Sequence, residues 1–127
     1  MKPYKNLKIW KRSVELATSI YEVTAEFPNE EKYGLVSQMR RSVVSISSNI
    51  AEGAGRTSSK EFKQFLNYAY GSSYELETQL IISANLGLVD HAREEPLLKE
   101  IDEIQKMIFT FSKSIEKEYS NLNSHNS

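Results

Sequence analysis

Apolar residues recur along this chain at steps of three and four, and no segment sustains the strict alternation of a strand. The pattern predicts four long helices. The first covers about residues 6–26, with Leu7, Trp10, Val14, Ala17, Tyr21 and Thr24 along its inward face. The second covers about residues 31–52 and buries Leu35, Met39, Val43, Ile46 and Ile50. The third turns Phe62, Phe65, Leu66, Ala69, Leu76, Leu80 and Ser83 inward and closes near Gly87. The fourth carries Leu97, Ile101, Ile104, Ile108, Phe111 and Ile115.

The punctuation between these stripes is consistent with helix ends. Phe27-Pro28-Asn29 stops the first helix, because a residue before proline is pushed out of the α region. Glu30 and Glu31 then stand where the positive end of the second helix favours acid. Gly53 and Gly55 are expected to end that helix in a left-handed turn. Ser58 and Glu61 form a capping box for the third. A link over residues 90–95 follows, and Pro96 is expected in the first turn of the fourth helix. Each helix is about 20–28 residues, or roughly 30–40 Å at 1.5 Å per residue. Similar lengths and short links predict an all-α, antiparallel up-down-up-down four-helix bundle over residues 1–120, followed by a polar, frayed tail over 121–127.

Composition narrows the class. A length of 127 residues, 39% hydrophobic and 26% charged, fits one globular domain. The absence of cysteine excludes a disulfide framework and a thiolate zinc site, and the chain is read as cytoplasmic. The start is basic and lacks the apolar core of a signal peptide. The most apolar stretch, residues 80–89, is broken by Ser83, Asn85 and Gly87, so no membrane partner is expected. Net charge is −1, unevenly spread: residues 1–63 hold 11 Lys+Arg against 7 Asp+Glu, and residues 64–127 hold 5 against 10. Such asymmetry serves either an anionic partner or attraction between helices and subunits.

Candidate chemistry is sparse. A bundle di-metal centre needs Glu-x-x-His pairs, and neither His91, placed in a link, nor His125, in the tail, has a glutamate three residues before it. No metal or cofactor is expected. The loop from Gly53 to Lys60 resembles a phosphate cradle but lacks the spacing and the preceding strand of a P-loop. No histidine lies on a predicted helix to activate a serine, so no catalytic residue is assigned. Two surfaces remain. Opposite the apolar stripe of the second helix run Gln38, Arg41, Ser45, Asn49 and Glu52, matched on the third by Tyr68, Gly71, Ser72, Glu75 and Gln79. Short residues beside a single arginine suit either a solvated face or a packed subunit contact in which Arg41 pairs with Glu52 or Glu75. Lys5, Lys8 and Arg12 share a face of the first helix, and with Arg40, Arg56, Lys60 and Lys63 they are candidate contacts for a nucleic-acid anion.

Phe27-Pro28, Glu31, Tyr33-Gly34-Leu35, Gln38, Arg40-Arg41, Ser45, Asn49-Ile50-Ala51-Glu52-Gly53, Gly55-Arg56, Gly71-Ser72, Glu75 and Glu77 resemble the bacterial four-helix bundle proteins encoded in intervening sequences of 23S ribosomal RNA genes. These are also labelled a ribosomal protein family. The resemblance covers about residues 5–115 and is most specific in the Asn49 to Gly53 string. It implies an antiparallel bundle assembling into a ring-like homopentamer. It also implies kinship with the accessory variability determinant of diversity-generating retroelements, whose pentamer binds a reverse transcriptase and nucleic acid. It implies no catalytic residue, and Arg41, Asn49 and Glu52, which match its motif, are read as structural or intersubunit. The expected partners are therefore further copies of the chain, with RNA or another protein as the alternative.

Overall fold

The structure, a computed structural model, describes the backbone of residues 3–126 and the side chains of residues 4–118. A 3-10 turn, Pro3–Asn6, leads into α1 (Lys8–Thr24). A 3-10 turn at Asn29–Glu31 and a π-helical turn at Lys32–Val36 precede α2 (Ser37–Ala54). The helices α3 (Ser59–Asn85) and α4 (His91–Asn126) complete the chain. No strand occurs among the described residues. The contacting pairs are α1 with α2, α2 with α3, α3 with α4 and α4 with α1, which is the antiparallel four-helix bundle.

Two stripes point where the periodicity puts them. Met39, Val43, Ile46 and Ile50 of α2 are fully buried, and so are Ile101 and Ile104 of α4. From α3, Leu66, Ala69, Leu76 and Leu80 complete the core. The face of α1 requires correction. Its core residues are Ile9, Ser13, Leu16, Ile20, Val23 and Thr24; of the expected stripe Leu7, Trp10 and Ala17 pack half-buried against that core, while Val14 and Tyr21 are exposed. Apolar residues cover a wide arc of this helix, so two stripes compete, and the one that wins contains a serine. Ser13 is tolerated because its hydroxyl donates to the Ile9 carbonyl at 2.6 Å.

The helix ends also differ from expectation in instructive places. Gly34 has non-helical dihedrals, φ −105° and ψ −111°, so α2 starts at Ser37 and Glu30 and Glu31 lie in the preceding turns. Gly53 lies within α2, and Gly55 follows it with φ −84°, so neither is left-handed. The only positive φ among the described residues is Gly87, at 76°. There the Leu88 amide donates to Ser83 at 2.9 Å and that of Gly87 to Ala84 at 3.0 Å, closing α3 as a Schellman turn. Ser58 caps α3 as expected, accepting from the Glu61 amide at 3.0 Å.

Residues 90–95 are not a link. Asp90 accepts from the Arg93 amide at 2.9 Å and starts α4 at His91, which places Pro96 a turn deeper than expected. The four helices are unequal, from 17 residues in α1 to 36 in α4. The backbone of α4 is helical to Asn126, whereas the side chains of residues 119–127 lie outside the described residues, and with them the expectation of a frayed tail.

Candidate functional site

The polar row on α2 meets the polar row on α3, and their short side chains join within the chain. Ser45 and Ser72 share a hydroxyl-to-hydroxyl bond of 2.8 Å. The Asn49 amide donates to the Ser45 carbonyl at 2.8 Å and to its hydroxyl at 2.9 Å. One turn away, Ser42 donates to Gln79 Oε1 at 2.8 Å. Directional bonds across a helix seam fix its register as well as adding stability.

The seam is this close because of Gly53. A Cβ there would stand 2.7 Å from Phe65 Cβ and 2.9 Å from Phe62 Cδ1. Gly53 therefore permits close helix approach and is not the left-handed helix end its place before Gly55 suggests. The remaining members of the row point outward. Gln38, Arg41, Glu52 and Glu75 are exposed. Glu52 pairs with Arg56 at 3.5 Å, and Arg41 makes no ion pair among the described residues. On the same outer face, Tyr68, Ile82 and Leu86 expose 50%, 44% and 62% of their surface.

The seven basic candidates do not form one surface. Arg12 turns to α4, where its guanidinium makes a two-pronged contact with the Glu100 carboxylate and lies 3.3 Å from Met107 Sδ. The Glu100 hydrogen bond raises the pKa of Arg12 further above its already high value. Arg40 closes the end of α1: it donates to Thr24 Oγ1 at 2.9 Å and to the Tyr21 carbonyl at 3.2 Å, and stacks 4.4 Å above the Tyr21 ring. A cation at a helix C-terminus complements the carbonyl dipoles. Arg56 lies 4.8 Å over Phe65, and Lys63 pairs with Glu116 at 2.9 Å. Lys5, Lys8 and Lys60 are exposed, and no ion pair engages them among the described residues. The antiparallel order puts these three at one end of the bundle and Arg40 near the other.

His91 is the first residue of α4 rather than part of a link, and its Nδ1 lies 2.8 Å from Glu94 Oε1. No three His, Asp or Glu side chains cluster as a metal site requires among the described residues. No helix there is long and apolar enough to cross a membrane.

A bundle with a serine-asparagine seam, and over that seam an arginine with no ion pair among the described residues, defines a structural class without defining a reaction. The sequence model of the 23S rRNA-intervening sequence proteins matches residues 5–110, and the chain belongs to that family. A solved structure of similar fold is a protein of unknown function from the S23 ribosomal protein family of Bacteroides thetaiotaomicron. It is 24% identical, with a TM-score of 0.75, over 83% of this chain and 98% of that one. No curated protein matches the chain.

Proposed function

We propose that the chain is a non-enzymatic scaffold that assembles with further copies of itself, as a ring of five. The outer face of the α2–α3 seam carries this reading. There Arg41, Tyr68 and Ile82 stand exposed beside a half-buried floor of Ser45 and Asn49. Exposed aromatic and aliphatic residues with one arginine, over small side chains, have the composition of an interface core.

Charge supports a head-to-tail arrangement. In the bundle, α1 and α2 are neighbours, as are α3 and α4. Residues 1–58 hold nine Lys+Arg against six Asp+Glu, and residues 59–127 hold seven against eleven. Helix pairs of opposite net charge favour a heterologous contact, the kind that closes into rings.

Light scattering over a concentration series tests the assembly. The expected mass is five times 14.6 kDa, and a strict monomer at high concentration sinks the reading. Arg41→Ala and Asn49→Leu are expected to weaken assembly more than Lys8→Ala. Gly71→Ala sharpens the test, because a Cβ there meets nothing within 4 Å in the isolated chain. In a free helix this change stabilises by about 0.5–1 kcal/mol. On a packed face it weakens assembly instead.

Nucleic-acid binding is the second reading, favoured by Lys5, Lys8 and Lys60 standing exposed at one end. It requires an affinity that falls steeply with salt, and no binding to RNA at about 50 mM salt removes it.

A further inference from the structure

The α1 and α4 helices leave a groove between them where α1 begins. Leu7, Ile9, Met107 and Phe111 form its apolar lining, and Lys8 and Lys106 are its charged residues. Its volume is about 530 Å³, inside the 300–1,000 Å³ range of small-molecule sites. Among the described residues, no carboxylate lines it. Lys106 contacts Asp102 at 3.0 Å, one turn back along α4, and an ammonium has three donors. Lys8 makes no ion pair among the described residues.

We propose that this groove binds a free medium-chain aliphatic carboxylate, its chain against Leu7, Ile9, Met107 and Phe111 and its carboxylate at Lys8 and Lys106. Charge selects the headgroup, since both charged residues of the lining are cations. Shape selects a chain over a partner helix. One turn further along α1, Arg12 crosses to α4, donating to Glu100 and lying against the lining residue Met107. Residues 106–114 of α4 span only about 12 Å, the reach of an acyl chain of roughly ten carbons. The start of α1 suits the same headgroup: no acid lies in its first turn, and among the described residues the Lys8 and Ile9 amides have no backbone acceptor.

The test uses the full chain with methyl-labelled methionine, titrated by NMR with sodium decanoate below its micelle concentration. The Met107 methyl is expected to shift saturably at submillimolar decanoate, while that of Met39, fully buried in the core, stays still. Lys8→Glu, an exposed change, is expected to weaken binding by about tenfold, as is replacing decanoate by decan-1-ol. No saturable shift up to millimolar decanoate overturns the proposal. So does equal movement of Met39, equal affinity for the alcohol, or binding only to anionic phosphatidylglycerol vesicles.

Discussion

The α2–α3 seam and the α1–α4 seam belong to one bundle but are built on opposite plans. The first is closed by Gly53 and threaded by Ser45, Ser72 and Asn49, all short. The second is spanned by long side chains, with Arg12 reaching Glu100 and Arg93 reaching Glu26, and a groove lies where it is not filled. Short residues let backbones approach and leave no freedom to slip. Long charged residues bridge a gap at an entropic cost and leave room for a ligand.

The largest effect is expected from adding one carbon to the closed seam. Alanine is favoured over glycine in a helix by about 1 kcal/mol, but here its Cβ overlaps Phe65 and Phe62. Overpacking of that kind costs about 1–3 kcal/mol, so Gly53→Ala is expected to destabilise in urea unfolding. Gly55→Ala is the control, because its nearest neighbour is at 3.5 Å and its φ of −84° suits any residue. If both substitutions stabilise, the seam is not close-packed. Next comes Ser45→Ala, which removes the partner of Ser72 and one acceptor of Asn49, at about 1 kcal/mol. A double-mutant cycle with Ser72→Ala measures the coupling, and none is expected if the bond is idle. Across the open seam Arg12→Met is expected to cost less, about 0.2–1 kcal/mol, since its ion pair is partly solvated.

The same contrast separates what the sequence makes legible from what it hides. The stripes of α2 and α4 are single and continuous, so periodicity alone points them inward. On α1, Val14 and Tyr21 compete with Ile9, Leu16 and Ile20, and only packing against the other helices chooses the second set. Gly34 and Gly53 show a second limit. A glycine between helical patterns signals freedom or smallness, and the choice depends on neighbours remote in sequence. The polar row on α2 was visible as unusual, but that Ser45 spends its hydroxyl on Ser72 of the same chain is a tertiary fact. Likewise, charge alone marks the basic candidates, and four of the seven hold carboxylates, a carbonyl or an aromatic ring.

The smallest expected effect comes from the remaining seam, α3–α4, where charge acts at a half-buried site. The Glu116 carboxyl is held below its ordinary range, first by the hydrogen bond from Lys63 and then by the nearby charge of Lys113. The folded state therefore keeps this group ionised to lower pH than the unfolded chain does. Its contribution is complete above the unfolded value and fades as pH falls through the lower folded one. Lys63→Met is expected to lower the urea midpoint slightly at neutral pH, and the gap from the unmodified chain is expected to close in acid below the ordinary carboxylate range. Added salt is expected to narrow it too, since both partners are partly solvated. A gap that persists unchanged in acid and in salt would assign the effect to packing of the lysine stem, and would make this seam resemble the closed one.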